Sequence, residues 1–185
     1  TRPVHIVFSG KAHPNDDMGK SLVKKVIDIC RDERFRGKIF FIEDYSIRVA
    51  RHMVQGVDLW LNTPRRPYEA SGTSGQKVTA NGVLNLSIAD GWWPEGYNGS
   101  NGWTIGPLVT DYAEEMPNAD EEDCQSLYNL LENVIIPMFY DRDMSGLPVK
   151  WIETIKRAMM TLTPKFNTER MLIDYFNNMY LPTAK

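Results

Sequence analysis

Cysteine is almost missing from this sequence: Cys30 and Cys124 are the only two in 185 residues. Neither belongs to a CxxC pair or stands at metal-ligand spacing from a histidine. That argues against a disulfide framework and a zinc site, and it fits a reducing compartment, the cytoplasm. Both read as small, buried apolar residues rather than nucleophiles. Histidine is scarce as well. His5, His13 and His52 read as a strand position, a turn and a helix face, and no nucleophile elbow accompanies them, so serine-hydrolase chemistry has no support. No excess of positive charge exists either: the formal net charge is −3, which leaves no electrostatic footprint for nucleic acid. No apolar run approaches the roughly 20 residues a membrane-spanning helix needs, and no signal-peptide pattern opens the chain. Repeats and low-complexity segments are absent. So is an initiator methionine: Thr1-Arg2-Pro3 leads straight into an apolar run, which reads as a cut inside a longer protein, just before a strand.

What is present describes a soluble α/β protein. Hydrophobic residues make up 42% and charged residues 24%, enough for one domain of ordinary size with its own core. Residues 4–9 form a short β-branched and aromatic run ended by Gly10, a buried strand. Met18, Leu22, Val26 and Ile29 then repeat at helical spacing, with Asn15 or Asp16 available as cap. Residues 38–43 predict a second buried strand and 46–54 a short helix with Ser46 as its cap. Residues 57–62 predict a third strand, 63–75 a long loop, 77–81 a helix closed by Asn81-Gly82, and 83–90 a fourth strand. Strands alternating with helices in this way imply a Rossmann-like parallel sheet with right-handed crossovers. Ligands in such sheets bind beyond the carboxyl ends of the strands. The segments 10–12, 43–45 and 69–77 all follow strands and should converge on one rim.

The last third changes character. Residues 121–139, 147–162 and 168–180 predict three helices. Their apolar faces carry Leu127, Leu130, Leu131, Val134 and Ile135, then Trp151, Ile152, Ile155, Met159 and Met160, then Met171, Leu172, Tyr175, Phe176 and Met179. All three read as packing surfaces. The expected organisation is a Rossmann-like region over 1–115 followed by C-terminal helices over 116–185.

The chemistry concentrates in Glu69-Ala70-Ser71-Gly72-Thr73-Ser74-Gly75-Gln76-Lys77. Glycines let backbone N–H groups turn toward a ligand, and a helix start adds a positive dipole end, so the stretch suits a phosphate. A lysine one turn behind can neutralise that phosphate or bond covalently to a carbonyl. An ordinary surface turn with a solvated lysine is the plain alternative. Phe8-Ser9-Gly10-Lys11-Ala12 has Gly-Lys after a strand but lacks the rest of a P-loop, and Gly72-Thr73-Ser74-Gly75 lacks GxGxxG spacing. Asp90-Gly91-Trp92-Trp93 offers carboxylate and aromatic groups that suit a sugar, and it equally suits covering of the sheet end.

The order and spacing of these pieces resembles the α-glucan (glycogen, starch, maltodextrin) phosphorylases. The likeness rests on Phe8-Ser9-Gly10-Lys11-Ala12, Glu43-Asp44-Tyr45, Asn62-Thr63-Pro64-Arg65-Arg66-Pro67 and, above all, 69–77 with Asn81-Gly82. It extends through Phe139-Tyr140-Asp141-Arg142 and Phe166-Asn167-Thr168-Glu169-Arg170-Met171. The Asn-Thr-Pro-Arg-Arg-Pro stretch looks like the bacterial branch. The resemblance implies the C-terminal half of a two-domain GT-B fold, with the N-terminal domain and the upstream part of this one outside the chain. It makes Lys77 the residue that carries pyridoxal 5'-phosphate. Thr73, with the backbone around Gly72 and Ser74, would hold the cofactor phosphate. Tyr45, Ile47 and Ala50 would line the pocket, with Asn62 at its border. Glu69, Ser71 and Gly72 would grip the glucosyl unit, with Glu69 and Lys77 as the catalytic pair. No metal is implied. The activity implied is reversible phosphorolysis of α-1,4-glucan by inorganic phosphate, giving glucose 1-phosphate with retained configuration. A homo-oligomer stays open for the full-length protein, and nucleic acid and membrane are not expected partners. The pattern departs at Gln76, where the family has Met, and at Ala80, where it has Leu or Met. Phosphate-gripping basic residues of the family lie upstream of Thr1, so this chain alone is expected to be inactive. Two other functions fit an α/β sheet of this kind: a sugar-nucleotide glycosyltransferase of glycogen-synthase type, and a non-catalytic glucan-binding module.

Overall fold

The computed structural model describes residues 2–108 and 118–183. They form two compact units, Thr1–Met53 and Val54–Lys185. The expected boundary at 115/116 lies outside the described residues.

In the first unit, β1 (Ile6–Ser9) and β2 (Ile39–Ile42) pair in parallel, Ile6 opposite Ile39 and Ser9 opposite Ile42. Between them runs α1 (Asp17–Arg31), whose start is fixed by its cap: Asp16 Oδ1 accepts the Gly19 N–H at 2.8 Å. Helix α2 (Ile47–Gly56) begins here, with Ser46 Oγ accepting the Val49 N–H at 3.4 Å, and the unit boundary falls inside it. No described residue of this unit is buried, and Ile6, Phe8, Phe40 and Ile42 remain about 40% exposed.

The second unit holds the core. Strands β3 (Leu59–Asn62), β4 (Leu84–Ile88) and β5 (Trp103–Ile105) form a parallel sheet with β4 in the centre. Between β3 and β4 lies α3 (Ser74–Ala80), and after β4 comes the single turn α4 (Trp93–Gly96). The four-strand run expected as one sheet is thus divided among the described residues into a two-stranded and a three-stranded sheet. The fifth strand was not expected. At three residues between Gly102 and Gly106, it is too short to show any periodicity.

Every residue of β4 is buried, although its Leu-Asn-Leu-Ser-Ile sequence alternates like a strand with one wet face. The polar positions are satisfied internally. Asn85 Nδ2 donates to the Gly75 carbonyl (3.1 Å) and Thr79 Oγ1 (2.8 Å), and Ser87 Oγ donates to the Ile88 carbonyl (2.9 Å). A buried polar group without such partners would cost about 1–3 kcal/mol.

The long helical element after residue 118 runs as α5 (Ala119–Leu130), a π-turn (Leu131–Ile135) and α6 (Ile136–Tyr140). Pro137 explains the widening: it has no N–H for the Asn133 carbonyl, and its ring would press on that oxygen. A second π-turn, Phe176–Tyr180, follows α8 (Thr168–Tyr175) and precedes Pro182 in α9 (Leu181–Thr183) in the same way. Helices α3 and α7 (Val149–Leu162) pack on β4 and on each other, and α5 packs on β5. Leu84, Leu86, Ile88, Trp92, Trp93, Ile105, Ile135, Trp151, Ala158 and Leu162 form one buried cluster.

Two expectations about helix faces change. Met159 and Met160 are 40% and 76% exposed, while Trp151, Thr154, Ala158 and Leu162 carry the buried face of α7. The expected packing face Met171, Leu172, Tyr175, Phe176 and Met179 lies 41–62% exposed. Helical periodicity reports that a face is apolar and does not specify what covers it. The cysteines are free and half-buried rather than buried.

Candidate active site

The site candidates of the second unit lie at the carboxyl end of its sheet, because the loop 63–73 leaves β3 there and α3 returns from it. Lys77 sits one turn inside α3, and side chains on a helix lean toward its N-terminus. Its Nζ accordingly reaches back to Thr73 Oγ1 at 3.2 Å. Thr73 is the N-cap residue, yet its hydroxyl makes no capping hydrogen bond. Among the described residues Lys77 makes no ion pair, and its side chain is exposed. An amine with a single neutral hydroxyl partner at the end of a glycine-rich loop is a donor set suited to an anionic carbonyl compound. The two thus fit the group expected there.

Glu69, Ser71 and Gly72 are placed by the strand that follows α3. Asp90, two residues past β4 and 4% exposed, accepts the Glu69 N–H through Oδ2 at 3.0 Å. The Trp92 N–H donates to the Ser71 carbonyl at 2.9 Å. Gly72 has φ +75°, and a Cβ there would collide with Glu69 Oε1, so the Glu69 carboxylate lies against the Gly72 backbone. Asn62, the last residue of β3, donates from Nδ2 to Ser87 Oγ at 3.4 Å across to β4. Ser74 is the first residue of α3 and is half-buried. Of the two departures, Ala80 is exposed and Gln76 half-buried, so neither belongs to the buried core.

The remaining expected pocket residues, Tyr45, Ile47 and Ala50, belong to the first unit. Tyr45 is 40% and Ile47 90% exposed, and Ala50 is half-buried on α2. In that unit Lys11 and Asp44, each just past a strand, face each other with Nζ–Oδ1 at 4.0 Å.

Trp92 and Trp93 are not sugar platforms. They are 4% and 0% exposed, in edge contact with each other at 5.2 Å, and Trp92 meets Phe166 at 4.9 Å. Trp93 Nε1 donates to Thr104 Oγ1 at 2.9 Å. Covering of the sheet end is their role.

Sequence reasoning missed what pins the 63–73 loop. Arg66 makes a two-toothed ion pair with Asp123 (2.8 and 2.9 Å) and donates to the Ile105 carbonyl at 3.3 Å. Their side chains are only 5% and 13% exposed. Arg65 pairs with Asp120 one turn earlier on α5. Partners 57 positions apart leave no periodic signal. Only the Arg-Arg doublet in an otherwise turn-like loop hinted at paired carboxylates elsewhere.

A family model described as carbohydrate phosphorylase matches residues 1–95. The chain is 51% identical to a glycogen phosphorylase of Aquifex aeolicus over its whole length, covering 26% of that protein. It is 49% identical to a maltodextrin phosphorylase of Thermococcus litoralis over 97% of this chain and 21% of that one. With the liver form of human glycogen phosphorylase the identity is 30% over 48% of this chain and 11% of that protein. The chain therefore spans about a quarter of the length of the first two relatives. It belongs to the carbohydrate phosphorylase family.

Proposed function

We propose that this chain is the cofactor- and glucosyl-binding part of an α-1,4-glucan phosphorylase acting in the cytoplasm. The full-length enzyme would release glucose 1-phosphate from the non-reducing end of glucan with inorganic phosphate. The observation that carries this reading is the pairing of Lys77 Nζ with Thr73 Oγ1 beside the Glu69–Gly72 backbone, in a chain of this family.

Lys77 would hold pyridoxal 5'-phosphate covalently, and Thr73 with the backbone of Gly72 and Ser74 would hold its phosphate. On the family resemblance, Tyr45, Ile47, Ala50 and Asn62 are further cofactor-binding residues. When bound, that phosphate supplies a proton donor and a charge partner to the substrate phosphate. The protein's own part is positioning. Because Asp90 takes the Glu69 N–H and Trp92 takes the Ser71 carbonyl, the groups left for a sugar are specific ones. They are the Glu69 carboxylate, the Ser71 hydroxyl and the Gly72 N–H. A carboxylate accepts from sugar hydroxyls, and such bonds can strengthen as the ring gains oxocarbenium character. One rigid loop holding both cofactor and sugar keeps the reacting centres in register, which is worth orders of magnitude in rate.

The test uses the full-length enzyme. Borohydride reduction followed by peptide mapping should find a pyridoxyl group on Lys77. Incubation with maltodextrin and phosphate should yield glucose 1-phosphate, and Lys77→Ala should abolish both. No label on Lys77, with glucosyl transfer from a sugar nucleotide, would establish the glycosyltransferase instead. Oligosaccharide binding without glucose 1-phosphate would establish a binding module.

A further inference from the structure

Asp90 is spent on backbone N–H groups rather than offered to a sugar, and it holds the loop that carries the proposed cofactor and sugar contacts. It is a buried carboxylate two residues past the fully buried strand β4. Both its oxygens are engaged by backbone: Oδ2 accepts the Glu69 N–H at 3.0 Å and Oδ1 the Gly91 N–H at 2.9 Å. Two residues on, the Trp92 N–H takes the Ser71 carbonyl at 2.9 Å. Trp92 cannot drift, because its ring is wedged between Trp93 and Phe166 in the core. Gly91 makes the close approach possible. Its φ is +57°, and a Cβ there would stand 2.5 Å from the Ser71 carbonyl oxygen and 2.8 Å from Glu69 Cγ. The loop is thus tied at 69 and 71 to one rigid corner, and the Glu69 side chain passes Gly91 with its Cγ and lays its carboxylate against Gly72.

We infer that Asp90 is a positioning residue for the reaction: its carboxylate, with the Gly91–Trp92 backbone, fixes where Glu69 and the Ser71–Gly72 backbone meet the glucosyl unit. This rests on the proposed sugar-gripping role of those residues. A carboxylate is required because two N–H donors must be accepted at once. An amide would turn its NH2 toward one of them. Lys77 and Thr73 hang from α3, which is held by the separate Asn85–Thr79–Gly75 hydrogen bonds. Loosening the corner should therefore disturb the sugar contacts far more than the cofactor, which shares only the Gly72 backbone with them and is retained through Lys77.

The experiment compares full-length wild type, Asp90→Asn, Glu69→Gln and the double variant. Asp90→Asn should lower kcat/KM for phosphorolysis by roughly 10- to 100-fold, the cost of a small misplacement of a substrate-gripping group. Its pyridoxal phosphate content should match wild type. The double variant should lose less than the product of the two single losses, because Asp90 acts in large part through Glu69. The Glu69 amide should also exchange with solvent faster in Asp90→Asn, a readout independent of turnover. Wild-type kcat/KM in Asp90→Asn, or losses that multiply in the double variant, would overturn the inference. If Asp90→Asn does not fold, Gly91→Ala crowds the same loop at Ser71 and Glu69 and is judged by the same comparisons. A wild-type enzyme without phosphorolysis would sink the proposed function, and this inference with it.

Discussion

Asp32 shows how far one surface group can be moved by its neighbours. It closes α1, donating its N–H to the Ile29 carbonyl. Its carboxylate accepts from the Arg34 guanidinium at 2.6 Å and from the Arg34 backbone N–H at 2.9 Å. The side-chain bonds first, and the backbone bond second, hold its pKa down at about 2 against an ordinary 3.8. A depressed carboxylate favours the folded state above its unfolded pKa, and that contribution is lost as the pH falls from 3.8 through about 2. The pair is solvated, so salt should weaken it. A carboxyl NMR titration should find the Asp32 midpoint near 2 in wild type and closer to the ordinary aspartate value in Arg34→Ala. An unchanged midpoint would remove Arg34 as the cause. At this scale the sequence was readable where the relation is local. Asp16 as cap and Asn81-Gly82 as stop follow from neighbours within four positions. Lys77 reaching Thr73 is an i, i+4 relation of the same kind. The choice between sugar platform and packing for Trp92 and Trp93 was not readable, since it depends on Thr104 in an unforeseen strand and on Phe166 far along the chain.

At the level of elements, the loop between β3 and α3 depends on charge rather than apolar area. Its anchor is the Arg66–Asp123 pair, in which Arg66 also reaches the Ile105 carbonyl at the end of β5. One residue thereby joins loop, sheet and α5. Arg66→Ala would leave Asp123 shielded from water without its partner, which costs about 3–5 kcal/mol. Chemical denaturation of this chain should show that loss, while Arg65→Ala, whose ion pair is exposed, should cost under about 1 kcal/mol. Equal effects would mean the buried pair has no special weight. Four strands and the main helices were legible because each carries its own period or cap. The division into two sheets was not, since strand pairing is decided by residues distant in sequence. The face of α8 with its following π-turn was visible as apolar, and its exposure was not.

Across the whole chain, burial is distributed unevenly, and this sets what should open first. All the fully buried residues among those described lie beyond Met53, around β4, whereas β1 and β2 form a two-stranded ribbon with exposed Ile6, Phe8, Phe40 and Ile42. A pair of strands with half-wet apolar faces has little to resist local opening, while a central strand covered throughout opens only with its unit. Hydrogen exchange should therefore find Leu84–Ile88 slowest, and Ile6–Ser9 and Ile39–Ile42 faster by more than tenfold. Leu162→Ala makes the test sharper. Leu162 is 1% exposed within the β4 cluster, and its truncation should cost about 2–5 kcal/mol. At about tenfold per 1.4 kcal/mol, protection of β4 should fall by at least tenfold, with β1 and β2 unchanged. Parallel loss in both units would show that the chain unfolds as one body and that the uneven burial does not divide its stability.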